Sequence, residues 1–253
     1  MAKKLKTITA GRLVKAILYT PPEPRDGDRA RAEKSRMTTA AQQAANDKTA
    51  RGKLEMELAA NFTPGDLFVL LTYRDADLPR RRAGAVSCFR RFIKLLRRHR
   101  AARGQELRYI YVTEGRHGSG RLHHHFVVNS VGLDDLEVIR SLWAYGDIVE
   151  AEGIDGEDYE PLALYMTKES AEGRPVGARM WSGSKNLRKP TVTADYVPNN
   201  TTLELPPGGK LISERSERGP FGEYRYMKYL LPTEQEEHAR LARPRRSRRK
   251  QTE

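Results

Sequence analysis

Leu107-Arg-Tyr-Ile-Tyr-Val-Thr-Glu-Gly-Arg-His-Gly-Ser-Gly-Arg-Leu-His-His-His-Phe-Val-Val-Asn129 decides how this chain is read. Leu107–Thr113 is aromatic and β-branched, a strand composition that ends at Glu114. Gly115-Arg-His-Gly-Ser-Gly120 has the makeup of a hairpin loop. Leu122, Phe126, Val127 and Val128 flank three histidines and mark a second strand. Strand side chains alternate, so His123 and His125 share one face and His124 points the other way. A core strand with incidental polar residues would need three sets of partners for its imidazoles. A hairpin instead brings Glu114 next to His123 and His125. One carboxylate and two imidazoles form an oxygen/nitrogen site suited to Mn²⁺, Mg²⁺ or Zn²⁺, with positions left open for substrate.

A third element extends the set. Glu157–Glu169 reads as helical around Leu162, Leu164, Tyr165 and Met166, and Tyr165 and Lys168 are three apart, on one helical face. A tyrosine hydroxyl, with a pKa of about 10, is a poor nucleophile unless a lysine or a polarised phosphate stabilises developing charge. Tyr159 lies six residues earlier, on a different helical face, and is left out of the set.

Taken in order, the strand ending Leu71-Thr72-Tyr73, Glu114, His123-x-His125 and Tyr165-x-x-Lys168 resemble the HUH endonuclease superfamily, in particular single-tyrosine rolling-circle replication initiators of plasmids, phages and prophages. Trp181-Ser-Gly-Ser-Lys-Asn-Leu-Arg-Lys-Pro190 is similar to the Ser-x-Asn-Leu-x-x-Pro segment of prophage- and plasmid-borne members. The resemblance runs from about residue 61 to residue 232. It implies that Glu114, His123 and His125 hold a divalent metal, Mg²⁺ or Mn²⁺. It also implies that Tyr165 attacks a DNA phosphate, leaving a 5′-phosphotyrosine and a free 3′-hydroxyl, with Lys168 assisting. The fold implied is an RNA-recognition-like palm. His124 departs from the pattern, which has a bulky hydrophobic residue between the two histidines.

Composition agrees. The chain has 253 residues with 46 Lys/Arg against 33 Asp/Glu, a net charge of +13 that suits a polyanionic partner. Its single cysteine, Cys88, excludes an intramolecular disulfide and fits a reducing cytoplasm. No apolar run approaches the roughly 18 residues needed to cross a bilayer, and no secretory signal opens the chain.

Along the chain, residues 1–60 read as a basic N-terminal extension, partly helical or flexible, with a possible short strand at Leu13–Tyr19. Residues 61–232 read as the endonuclease domain, and 233–253 as a basic disordered tail that binds polyanions without sequence preference. Phe68–Tyr73 is expected to be a central strand covered on both faces. The strongest helix follows, capped by Asp77 with Pro79 in its first turn, carrying Val86, Phe89, Phe92, Ile93 and Leu96 at helical spacing and ending at Gly104. From Arg80 to Arg103 this segment has no acidic residue, which favours phosphate contact over a merely solvated face. Arg90, Arg91, Lys94, Arg97 and Arg98 on the helix, Arg121 in the hairpin, and Lys185, Arg188 and Lys189 are the candidate DNA-contacting residues. Asp134–Trp143 reads as a second helix, with Trp143 in the core. Tyr145–Val149 and Arg179–Ser184 read as strands. Beyond Pro198 the chain reads as loop until Glu223–Leu231, a strand or a helix.

This alternation of elements predicts an α+β domain with a largely antiparallel sheet and packed helices. The chain lacks a phosphate-binding Gly-x-x-x-x-Gly-Lys-Ser/Thr, so unwinding falls to a separate helicase. It also lacks Cys-x-x-Cys and a serine-hydrolase elbow. The function expected is nicking and religation of single-stranded origin DNA to start rolling-circle replication. A transposase or mobilisation relaxase shares the chemistry, and a nonenzymatic basic DNA- or RNA-binding protein is the rival of another class.

Overall fold

The computed structural model describes residues 2–21, 40–115, 120–168, 179–219 and 222–242. Its elements are β1 (Lys3–Ala10), β2 (Leu13–Tyr19), α1 (Ala40–Asn61), β3 (Leu67–Leu71), α2 (Arg82–Ala101), β4 (Tyr109–Glu114), β5 (His123–Val128) and α3 (Asp135–Leu142). They continue with β6 (Val149–Gly153), α4 (Glu160–Met166), β7 (Ser182–Gly183), β8 (Thr191–Val197), β9 (Lys210–Gly219), β10 (Gly222–Leu230) and α5 (Glu234–Ala242). The fold is α+β, with two antiparallel five-stranded sheets among the described residues. Among those residues no helix is long and apolar enough to cross a membrane.

The chain divides into two compact units, Met1–Arg25 with Thr191–Glu253, and Asp26–Pro190. This differs from the division read in the sequence at residues 60 and 232. The supposed extension supplies β1 and β2, whose partners lie about the far end of the chain: the sheet order is β8-β1-β2-β10-β9. Lysine-rich β1 and charged β9, Lys-Leu-Ile-Ser-Glu-Arg-Ser-Glu-Arg-Gly219, carry too little apolar character to announce a strand locally. Strand pairing over such a separation leaves no local trace. The region after Pro198 is therefore not loop throughout, and Gly222–Leu230 is a strand. The expected disordered tail at 233–253 is corrected in its first part, where Glu234–Ala242 forms α5 with three glutamates in its first turn, and the remainder from Arg243 onward lies outside the described residues.

In the Asp26–Pro190 unit the sheet order is β6-β3-β5-β4-β7, which makes β5 the central strand and gives β3 an interior place. One face packs on α2 and α3. Phe89, Phe92, Ile93 and Leu96 of α2 bury against Val69, Leu71, Phe126 and Val128 of the sheet, and against Ile139 and Trp143. The expected cap at Asp77 is corrected. Asp75–Asp77 forms a separate 3-10 turn, and α2 starts only at Arg82, without a side-chain cap. Its end is as expected: Gly104 takes φ +66°, and Gln105 N–H donates to Arg100 C=O.

Strand bounds shift as well. Tyr145 lies in a turn before β6, which starts at Val149, and only Ser182–Gly183 of the expected strand at 179–184 pairs with β4. Arg100 is no phosphate ligand. It is buried, donates to Asp135 Oδ1 at 2.9 Å and to Asn129 C=O at 3.0 Å, and so ties α2 to α3.

Candidate active site

The antiparallel β4–β5 ladder sets Glu114 directly opposite His123, Thr113 opposite His124 and Val112 opposite His125. Glu114, His123 and His125 therefore emerge on one face. Glu114 Oε2 lies 3.2 Å from His123 Nε2, 3.8 Å from His125 Nε2 and 3.6 Å from Lys168 Nζ. One ligand atom from each of Glu114, His123 and His125 fits within 4.8 Å of the others. Gly115, at φ +94°, permits this corner: a Cβ there would lie 2.5 Å from the Arg121 carbonyl oxygen.

That same carbonyl accepts the hydrogen bond of His123 Nδ1–H at 2.8 Å, which turns Nε2 toward Glu114; Nε2 is the atom that would ligate a metal once it gives up the proton it shares with that carboxylate. Arg121 reaches Tyr73 C=O at 2.7 Å and Asp75 at 2.6 Å, holding the hairpin to the segment after β3. The structure thus places Arg121 in support of His123, with its side chain about half exposed.

Among the described residues, Glu114 Oε1 and both ring nitrogens of His125 are buried and make no hydrogen bond. Such groups ordinarily cost about 1–3 kcal/mol each when left unpaired. A buried oxygen and imidazole nitrogens in this state, next to His123 Nε2, are the donor set a divalent cation takes. The cluster fits a metal. Burial pushes the His125 imidazolium pKa down to about 4, which keeps the ring neutral and one nitrogen's lone pair available at neutral pH. The His123 pKa is raised, chiefly by its hydrogen bond to Glu114. Burial alone would raise that of Glu114, but the His123 hydrogen bond and the charges of His125 and Lys168 together bring it below the usual carboxylate range.

The tyrosine sits on the same face. Phe68 of β3 stacks on His125 with ring centroids 5.3 Å apart, and Tyr165 of α4 meets both edge-on, 5.1 Å from His125 and 5.7 Å from Phe68. Tyr165 is 45% exposed, whereas Ala163 and Met166 of the same short helix are buried. Lys168 lies just past the end of α4, yet its Nζ stands 3.6 Å from the centre of the Tyr165 ring. Tyr159 is buried and donates its hydroxyl to Phe62 C=O at 2.5 Å, a structural bond.

His124 faces the other way and is fully buried. Its Nδ1 pairs with Thr113 Oγ1 at 2.9 Å and its Nε2 with Tyr73 Oη at 2.7 Å, amid Phe89 and Trp143. Burial pushes its pKa down to about 3, so it serves as a neutral, fully bonded core residue. Trp143 is also core, donating Nε1–H to Thr72 C=O.

The basic residues divide. Arg90, Arg97 and Lys185 line one groove of about 720 Å³ with Tyr109, Tyr111 and Arg179, between α2 and the β4–β7 edge. By alternation Tyr109 and Tyr111 belong to the His124 face, so this groove opens away from Glu114. Arg91, Lys94 and Arg98 stand exposed on the outer side of α2. Arg188 and Lys189 are exposed too, and Lys189 pairs with Glu57. Residues 184–190 are anchored by Ser184 against Tyr109, by Asn186 against Glu106 and Leu107, and by Asn61, which both donates to and accepts from the Arg188 backbone. Asn61 and Phe68 escaped the sequence reading. Only the parity of Phe68 with Leu70 on β3 signals its face.

Residues 66–170, less than half of the chain, match the family model described as replication-associated protein of the ORF2 type. That span contains every element that supplies Glu114, His123, His125, Tyr165 and Lys168. No curated protein and no solved structure matches. The matched segment is thus similar to replication-associated proteins, and this supports a role in initiating replication.

Proposed function

We propose that the protein is a rolling-circle replication initiator of the HUH type, which nicks single-stranded origin DNA through Tyr165 and can rejoin it. The observation that carries this reading is the exposed Tyr165 ring resting on His125, a buried histidine that shares a face with Glu114 and His123 and whose ring nitrogens make no hydrogen bond. Glu114, His123 and His125 would hold Mg²⁺ or Mn²⁺. Such an ion, when bound, supplies Lewis-acid stabilisation of charge on a phosphate.

The protein's own groups do the rest. Phe68 and His125 hold the Tyr165 ring edge-on, and the side chain stays exposed, where a strand can reach it. Tyr165 Oη bonds to phosphorus as the bond from phosphorus to the 3′-oxygen breaks. The phenolic proton goes to solvent, and the departing 3′-oxygen takes one up. Lys168, beside the ring and Glu114, offers positive charge to the phosphate. Bond energy kept in the phosphotyrosine lets a 3′-hydroxyl reverse the step without a nucleotide. Unwinding is left to a partner helicase. Arg90, Arg97 and Lys185, with Arg91, Lys94, Arg98, Arg188 and Lys189, contact backbone phosphates.

Incubating the protein and Mn²⁺ with a pool of random single-stranded oligonucleotides tests this directly. A denaturation-resistant protein–DNA adduct is expected, enriched for one sequence and abolished by a chelator. A pool that yields none, from protein that binds DNA, contradicts the nuclease reading.

A further inference from the structure

Lys4, Tyr19, Tyr196 and Tyr224 occupy one row across four strands of the sheet β8-β1-β2-β10-β9: Tyr196 is opposite Lys4, Lys4 opposite Tyr19, and Tyr19 opposite Tyr224. The row ends at Glu217 of β9. One pleat along, the same face presents Lys6, Tyr226 and Arg215. The side chains agree with the register, because Lys4 Nζ lies 5.4 Å from the centre of the Tyr196 ring. Alternate residues point to the opposite face, where Val14, Ala16, Leu18 and Met227 are buried. Farther along the tyrosine side Ala10, Leu13 and Lys228 are buried, so on that side only the end that carries the tyrosines lies open.

Tyr196 is 68% exposed and Tyr224 38% exposed. These two exposed tyrosines stand in line on β8 and β10, three strand spacings or about 14 Å apart, with Lys4 and Tyr19 between them, and such exposed rings are costly for solubility and do nothing for the core. Interleaved with Lys4, Lys6 and Arg215, they combine flat stacking surfaces with cations. Those are the two components that hold bases and phosphates of a single strand. The one carboxylate in the row, Glu217, is paired with Arg215 at 3.6 Å.

We propose that this face is a second binding surface for single-stranded DNA, formed by the unit that does not contain the candidate nuclease site. Bases stack on Tyr196 and Tyr224 while Lys4 and Lys6 meet the phosphates. The choice of DNA over RNA rests on the replication-initiator reading; the stacking chemistry does not.

Fluorescence anisotropy of the full chain with a labelled oligo-dT, in EDTA so that no cleavage occurs, tests the surface. Tyr196→Ala combined with Tyr224→Ala should weaken binding about 10-fold or more, in keeping with stacking losses measured by alanine substitution. Tyr196→Phe with Tyr224→Phe should bind like the parent, which separates lost stacking from a damaged fold. Loss is expected for oligo-dT and not for a duplex of equal length. Unchanged oligo-dT affinity in the alanine variant overturns the proposal, as does an equal loss on duplex or tighter binding to oligo-rU than to oligo-dT. The readout needs no adduct. A protein that forms no covalent product but loses oligo-dT in the alanine variant would end the nuclease reading and leave this surface standing.

Discussion

The two faces of the β4–β5 ladder carry the same residue type in opposite states. On one, His124 has both ring nitrogens bonded, to Thr113 and Tyr73, and no exposure at all. On the other, His125 is nearly as buried yet has neither nitrogen bonded, and His123 spends one nitrogen on a backbone carbonyl and points the other at Glu114. Residue identity does not separate a core histidine from a ligand; the accounting of hydrogen bonds does. A protein that leaves two buried imidazole nitrogens and a carboxylate oxygen unpaired within a few ångströms of each other gives up stability there. A cation that takes the carboxylate oxygen and the one free imidazole lone pair recovers part of it.

Tyr165→Phe should break the contrast most severely, because it acts on the under-bonded face alone. Adduct formation should fall by about 10³-fold or more, as expected when a nucleophile is removed, while oligonucleotide binding stays within a few-fold. Gel analysis of denatured reactions shows this, and an adduct that persists would reassign the nucleophile. On the opposite face, His124→Ala should act on stability. It opens a cavity and leaves Tyr73 Oη without its imidazole partner, costing about 2–4 kcal/mol. The loss is read as a lowered denaturation midpoint, whereas His125→Ala, which removes an unpaired buried group, should move that midpoint little.

Acid reads the burial of His124, a property shared with His125. An unfolded histidine protonates near pH 6.5, while folded His124 resists until about pH 3. Between those values the unfolded chain holds one proton more at this position, so stability falls as pH falls, by about 1.4 kcal/mol per unit. His124→Leu should flatten the dependence of unfolding free energy on pH by about that slope, measured in EDTA between pH 6.5 and 4.5. The smallest effect belongs to the groove on the His124 face. Arg97→Gln and Lys185→Gln should each weaken single-strand binding a few-fold and lower the salt slope by about 0.7. Adduct formation at saturating DNA should not change, and a collapse of it would place the groove in the chemistry.

Much of this was legible in the sequence because strand alternation and a glycine loop act locally. Glu114 beside His123, the shared face of His123 and His125, and the turning away of His124 follow from a period of two and a short hairpin. The helix at 82–101 was legible from its apolar spacing, although its start was not: Asp77 looks like a cap, but the chain forms a 3-10 turn there first. What stayed hidden depends on distant partners. Phe68 under the tyrosine, Asn61 gripping Arg188 and the pairing of β1 and β2 with strands beyond residue 190 bring together residues that no local pattern connects. Arg100, one cation in an acid-free run, could not be told from its neighbours until Asp135 was found against it.

The contrast between the faces is tested most directly by calorimetric titration of Mn²⁺ into four proteins, the parent and the single alanine variants of His123, His124 and His125, each below its unfolding transition. The parent and His124→Ala should bind one ion with similar affinity, and His123→Ala and His125→Ala should show little or no binding heat. Loss of binding in a folded His124→Ala protein, or full binding in both of the other variants, would contradict the account.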